Sequence, residues 1–282
     1  GNLIGVSWGY RTTSGLQASR MADLWIAATE YLREGGKSVL RLHVEGGWEL
    51  LRRNRQRNQV SHTADTYLTI LLRICARAGV QLTSSAVSAR AQTVTPKFTI
   101  AADASAFESV ARALAFLADR IRMRTVAGAL ITEPLTSDAS VYEFADDGSP
   151  AAHPARAISY RNEPPGVSEA QAFGSSLAFG ESIDYASAAL SLGTRDYQRD
   201  ITSASSAAAT ATAVAHRRQR ALDAAAGQLV VAPNVGQELL DAIDFIDAQV
   251  ADFPVARRVA GIRWRYDKRR AVYEQTLILG AM

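Results

Sequence analysis

The stretch from Arg257 to Gly280 constrains the fold more than any other part of the chain. Val259, Gly261 and Arg263 fall on one parity, and Ala260, Ile262, Trp264 and Tyr266 on the other. After a polar break at Asp267-Lys268-Arg269-Arg270, alternation resumes as Val272, Glu274, Thr276 and Ile278 against Tyr273, Gln275, Leu277 and Leu279. Period-two patterning on both sides of a short polar segment predicts an antiparallel hairpin. Asn-Gly and Asp-Gly are missing from the break, so a loop of about three to five residues is expected rather than a tight primed turn. Arg and Lys on one face and Trp, Tyr, Ile and Leu on the other fit a hairpin laid against a sheet or barrel, with one side wet.

The rest of the chain reads as alternating strand and helix patterns. Leu3 to Tyr10 predicts a strand. Met21, Leu24, Trp25, Ala28 and Leu32 recur at helical spacing and predict an amphipathic helix stopped by Gly35-Gly36. Ser38 to Val44 alternates as a strand. Two helix-then-strand units follow. In the first, Leu68, Leu71, Leu72 and Cys75 form the stripe, Gly79 supplies a left-handed cap and Val80 to Leu82 begins a strand. In the second, Ser105 and Glu108 have capping-box spacing, Phe107, Val110, Leu114, Leu117 and Ile121 form the stripe, and Ile121 to Thr125 exits as a strand. The polar stretch Thr83 to Thr95 separates the units. Ser203 to Ala226 is rich in Ala and Ser and predicts a helix with a small-residue face; Glu238 to Asp247 is ambiguous, with strand preferred between Gly236 and Pro254. The resulting division is 1–60, 61–154 and 155–282.

Few kinds of chemistry are indicated. The chain has 282 residues, 48 % apolar and 21 % charged, with a net charge of +3, ordinary for a globular protein and a weak pointer to nucleic acid. Cys75 is the single cysteine and sits among Leu71, Leu72 and Ile74, so no disulfide framework is expected. No apolar run is long enough for a membrane span, and no signal-peptide pattern is present. His43, His62, His153 and His216 stand at no metal-ligand spacing, and Asp146-Asp147 and Asp241, Asp244, Asp247 read as turn and edge-strand carboxylates. Gly-x-Ser-x-Gly, P-loop and dinucleotide fingerprints are all missing. The expectation is therefore no catalytic residue, no cofactor and no metal. The densest basic run is Arg52-Arg-Asn-Arg-Gln-Arg57, followed by His216-Arg-Arg-Gln-Arg220. Either run could contact phosphate, although no aromatic residue is interleaved with them for base stacking.

Several segments, in this order, resemble the baseplate-hub, or tail-hub, proteins of bacteriophage tails and related contractile injection systems. They are Val39 to Glu45, Gly47-Trp48-Glu49-Leu50-Leu51, the helix Tyr67 to Ala78 ending in Gly79-Val80, and Pro96-Lys-Phe-Thr-Ile100 before Ala106 to Asp119. Asp138 to Tyr142, Pro233 to Glu238, Arg257-Arg-Val259 and Tyr273 to Leu277 follow. The resemblance implies an α+β protein: tail-tube-like antiparallel β-barrel domains with an inserted helix–strand domain. The first barrel would use Leu3 to Val44 and strands near Leu130, the two helix–strand units would form the insert, and the closing barrel would carry the Ala-rich helix packed on it. It also implies a structural homotrimer in the virion tail, assembled in the host cytoplasm, with the tail-tube protein, a spike or tip protein and the tape-measure protein as partners. DNA would pass through its lumen without specific binding. Assembly or lumen surface is then expected at Arg52, Arg55, Arg57, Arg217, Arg218, Arg263, Arg265 and Tyr273. Two other functions remain open: a basic nucleic-acid-binding module built on the two arginine runs, and a tail-tip cell-wall hydrolase using carboxylates such as Glu181 and Asp184.

Overall fold

A computed structural model describes residues 3–117, 119–124, 127–132, 139–146, 152–160, 167–175, 177–190, 195–199, 205–223, 225–247 and 255–280. The chain divides into two compact units, Gly1–Thr132 and Glu133–Met282.

The first unit opens with an antiparallel meander of β1 (Leu3–Thr12), β2 (Gly15–Glu34) and β3 (Lys37–Glu45). The helix expected over Met21 to Leu32 is the second half of β2. Helical spacing of its apolar residues is misleading because β2 pairs with β1 as far as Trp25 and with β3 from Trp25 onward, and its register slips between Ile26 and Ala28. A register slip shifts side-chain parity, which breaks simple alternation. Trp25, Ile26, Thr29 and Tyr31 are strand formers, and unbroken strand pairing, first with β1 and then with β3, outweighs a weak helical preference. Gly35 and Gly36, expected as a helix stop, form the two-residue β2–β3 turn, with Glu34 opposite Lys37 and φ of 56° and 76°. Positive φ at both central residues is the primed-turn geometry that Gly-Gly accommodates without strain.

Next come α1 (Gly47–Arg53), β4 (Val60–His62), α2 (Tyr67–Arg77), β5 (Gln81–Ala86), α3 (Ala89–Thr93), β6 (Phe98–Ile100), α4 (Ala106–Leu114), β7 (Asp119–Arg124) and β8 (Ala127–Thr132). β4 pairs with β6, while β8 lies between β5 (parallel) and β7 (antiparallel). Leu130 therefore belongs to a sheet with β5 and β7, and not with β1–β3 as expected. The separating stretch Thr83 to Thr95 contains the end of β5 and all of α3. On α2 the buried face is Tyr67, Ile70, Leu71, Ile74 and Cys75, so Leu68 and Leu72 stand at its margins. This face packs with Val110, Ala113, Leu117, Ile121 and Met123 in one core. α4 ends at Leu114, and Ile121 belongs to β7. The Ser105 hydroxyl accepts from Glu108 N–H at 3.1 Å and the Glu108 carboxylate accepts from Ser105 N–H at 3.0 Å, the reciprocal cap the spacing predicts. Hydrogen bonds to the carboxyl from the Ser105 backbone N–H and side chain, with the Arg55 charge, hold Glu108 below its ordinary range against some burial. Ser105→Ala should cost about 1 kcal/mol, read as a lower urea midpoint at unchanged slope.

The second unit contains β9 (Tyr142–Ala145), β10 (His153–Tyr160), β11 (Glu169–Phe173), β12 (Phe179–Ile183), α5 (Tyr185–Leu190), β13 (Arg195–Arg199) and α6 (Ser206–Asp223). It finishes with β14 (Ala225–Val231), β15 (Ala242–Ile246), β16 (Val255–Asp267) and β17 (Val272–Gly280). Six strands close into a barrel in the order β10-β14-β17-β16-β15-β9. The chain is thus mixed α+β with a closed barrel. Barrel strands before and after α6 flank a separate sheet, β12-β11-β13, in which β11 is antiparallel to β12 and parallel to β13. The Ala-rich helix packs chiefly on β12 and β11 of this sheet, through Ala209, Ala213 and Ala172, and not chiefly on the barrel.

The terminal hairpin forms as expected, with residues 268–271 as its turn. One detail differs. The β16–β17 register shifts between Val259 and Gly261, so Val259 and Ile262, of opposite parity, both belong to the barrel core with Leu277 and Leu279. An extra residue in one strand reverses the parity of everything beyond it. Phe144, Leu229, Val231, Ile243 and Phe245 complete that core. Glu238 to Asp247 contains β15, the strand preferred for it.

Candidate functional site

Three surfaces stand out. The first is the β1–β3 sheet, where none of the described side chains from Leu3 to Glu45 is buried. Leu3, Leu16, Tyr31, Val39 and Leu40 are exposed on it. Among the described residues these three strands bury no side chain and lack the apolar face that normally stabilises a sheet. Both outer edges, β1 and β3, are open in the described strand order.

The second surface is the far end of the terminal hairpin. Pairing of β15 with β16 stops at Arg258, and pairing of β14 with β17 stops at Gln275. Beyond those points β16 and β17 continue with each other as far as Asp267 and Val272. Arg263, Arg265, Lys268, Arg269 and Arg270 are exposed there. Arg265 donates to Glu274 at 3.2 Å, Arg270 stands 3.7 Å from Asp267, and the Tyr266 and Tyr273 rings meet edge-on at 5.8 Å.

The third surface is the β12-β11-β13 sheet. Alternation sends Ala170 and Ala172 inward, where they are buried, and aligns Glu169, Gln171 and Phe173 on the opposite face. Neighbouring strands add Phe179, Glu181 and Tyr197 to that face by register. The Phe173 ring lies 5.4 Å from Phe179 and 6.2 Å from Tyr197, all three exposed. Beside them Gln171 donates to both Glu169 and Glu181, and Arg195 Nε donates to Glu169 at 2.5 Å. Burial pushes the Glu169 carboxyl up, but hydrogen bonds with Arg195 and Glu181, the Arg195 charge and a bond from Gln171 bring it below the ordinary range.

On the helix side of this sheet, His216 Nε2 meets Asp196 Oδ2 at 2.9 Å, and Arg220 Nε donates to the same oxygen at 3.2 Å. Burial alone would raise the Asp196 carboxyl; hydrogen bonds from His216 and Tyr197 N–H, with the His216 and Arg220 charges, lower it overall. A lowered folded value means that the unfolded chain takes up the proton first as pH falls. The stability from Asp196, Glu169 and Glu108 is therefore present above the unfolded carboxyl value of about 4 and is lost as pH falls through the folded values. Urea midpoints should drop as pH falls from about 5 toward about 2, and Asp196→Asn should flatten that loss.

The eight residues expected to form assembly or lumen surface divide between the two units. Arg52, Arg55 and Arg57 lie in the first unit, all exposed. Arg52 pairs with Glu49 at 3.4 Å and stacks over Phe107 at 4.8 Å, and Arg55 donates to the Asp103 carbonyl at 3.0 Å. Arg217 and Arg218 are half-buried on α6, Arg217 donating to Ser182 at 2.9 Å and lying 3.6 Å from Asp184. Arg263, Arg265 and Tyr273 share the hairpin arm. The two arginine runs of the nucleic-acid reading thus belong to different units, and several of their guanidinium groups are engaged by carboxylates of their own unit. Glu181 and Asp184 also part company: Glu181 is on the aromatic face, whereas Asp184 is turned to Arg217. The aromatic platform went unnoticed in the sequence; its one signal was the repeated Phe-Gly on short strands.

Among the described residues no group of three His, Cys, Asp or Glu could hold a metal ion, and no helix is long and apolar enough to cross a membrane. No protein-family model matches the chain, and no curated protein matches it. Solved structures do. A tail protein from Neisseria meningitidis MC58 superposes with a TM-score of 0.66 at 12 % identity, over 94 % of this chain and 82 % of that one. The 43 kDa tail protein of prophage MuSo2 from Shewanella oneidensis gives 0.62 at 10 % identity, over 99 % and 89 %. Over nearly its whole length, the chain has the fold of these two tail proteins.

Proposed function

We propose that the chain is a structural component of a phage tail or related injection machine, and within it the trimeric hub that joins the tail tube to the tip or spike. The observation that carries this reading is the β1–β3 sheet. β2 is 20 residues long, and none of the sheet's described side chains is buried. Such a sheet needs other chains to cover its apolar side chains and complete its edges, which a ring of copies stacked on a tube supplies. The fold shared with tail proteins supports the same setting, in the virion tail after assembly in the host cytoplasm. The tail-tube protein and a spike or tip protein are the axial neighbours in this reading, with the tape-measure protein inside. DNA passes through without specific binding.

Native mass spectrometry with negative-stain class averages tests it. Threefold rings with a central hole are expected. A chain that stays monomeric both alone and when mixed with the tail-tube protein of the same virus overturns it. As a check on the lumen claim, Arg52→Ala and Arg55→Ala should leave duplex-DNA retention and its salt slope unchanged. A reduced slope would favour the nucleic-acid-binding reading.

A further inference from the structure

The hairpin arm and the aromatic face of the second unit are complementary in charge and chemistry. Past Trp264 and Gln275 the arm is a two-stranded ribbon without a third strand among the described residues, and it reaches about 10 Å further before the turn. A two-stranded ribbon alone is marginal in water, and a surface to rest on would steady it. Its exposed cations are Arg263, Arg265, Lys268, Arg269 and Arg270, with only Asp267 and Glu274 to offset them. The opposite kind of surface is the Phe173–Phe179–Tyr197 platform, flanked by the exposed Glu181 and by the buried, Arg195-paired Glu169, with Arg199 opposite Phe173 in the register. A guanidinium is weakly hydrated, stacks on aromatic faces and bonds carboxylates, so rings beside an exposed carboxylate suit an arginine-bearing tip. The same carboxylates repel a phosphate backbone.

We propose that the hairpin tip of one copy, Lys268 to Arg270, seats on the Phe173–Phe179–Tyr197 and Glu181 face of a neighbouring copy. This rests on the ring-assembly reading above and names the contact that would hold the ring together. Both patches are exposed within a single chain, so their pairing joins separate copies. Two different patches of one chain that fit each other form a head-to-tail contact, which makes a ring when the rotation closes.

Cross-linking between two singly altered chains tests this. Lys268→Cys places a thiol at the tip while keeping Arg269 and Arg270. Leu177→Cys places one beside Phe173 and Phe179, at a fully exposed site between β11 and β12. The native Cys75 stays silent, because burial pushes its thiol up to about 12. Under mild oxidation the mixed variants should form the tip–platform disulfide about tenfold faster than either variant alone forms its own, since docking gives the two thiols a high effective concentration. Adding Glu181→Lys to the Leu177→Cys chain should remove most of that advantage. Mixed and single variants cross-linking at equal rates, or an advantage indifferent to Glu181→Lys, overturns the contact. Ring order, counted separately in class averages, keeps the two readings apart. Threefold rings without the tip–platform disulfide leave the hub reading standing and remove this contact. The disulfide in rings of another order does the reverse.

Discussion

Gly180→Ala is expected to dislodge α6 from the β12-β11-β13 sheet. A Cβ at Gly180 would fall inside the contact radius of the Thr210 amide nitrogen and the Ala209 carbonyl carbon. Both are helix backbone, which cannot rotate aside as a side-chain tip could. The helix has settled this close because the surfaces between are made of Ala172, Ala209 and Ala213, all fully buried. One methyl group therefore displaces a helix of 18 residues, together with the His216–Asp196 contact that it carries. Overpacking of this kind typically costs about 1–3 kcal/mol, and a clash with rigid backbone belongs at the upper end. Hydrogen exchange should show faster exchange of the α6 amides in Gly180→Ala, with the barrel strands protected as before. Unchanged α6 protection would mean that the helix stands further from the sheet than its packing implies.

Phe144→Ala is expected to have the other large effect. β9 is only four residues long, yet it pairs in parallel with both β10 and β15, and without it the barrel is an open sheet. Few backbone hydrogen bonds hold so short a strand, so its anchor is the fully buried Phe144 ring, packed against Phe245 and its neighbours and 5.5 Å from the His153 ring. Removing a buried phenylalanine costs about 3–5 kcal/mol, and here the loss falls on the strand that closes the barrel. Chemical denaturation should show that loss, and amides of β10 and β15 facing β9 should exchange faster in the variant. Phe144→Leu, which keeps most of the volume, should cost less than about 1.5 kcal/mol. Equal destabilisation by both substitutions would contradict the anchoring role.

Sequence patterns read some elements accurately and others not, for physical reasons that can be named. The terminal hairpin was legible because alternation over two adjacent strands is a local signal. The Ser105–Glu108 cap was legible because both partners lie within one helical turn. β2 was not legible. Its apolar spacing matches a helix, and only pairing with β1 over its first half and with β3 over its second makes it a strand. The phase of α2 slipped for a similar reason, since Tyr67 and Ile70 become the buried face only against the α4 side of that core. The expected surface residues were chosen by charge. Charge marks a wet face but does not say which arginines a neighbouring carboxylate will occupy, as Asp184 does for Arg217.

What the sequence by itself determined is the content of local segments: a hairpin with a cationic turn, a capped helix, a helix of small residues, and no motif for nucleophilic, phosphate-binding or metal chemistry. Tertiary structure decided everything that joins distant segments. It decided that β9, from before the β12-β11-β13 sheet, closes a barrel with strands from after it, and that the small-residue helix rests on that separate sheet. It also brought Phe173, Phe179 and Tyr197 together from three strands. Pattern and capping depend on neighbours a few residues away along the chain. Strand partners and shared faces depend on which segments bury each other's apolar surface, and that choice is made only when the whole chain packs.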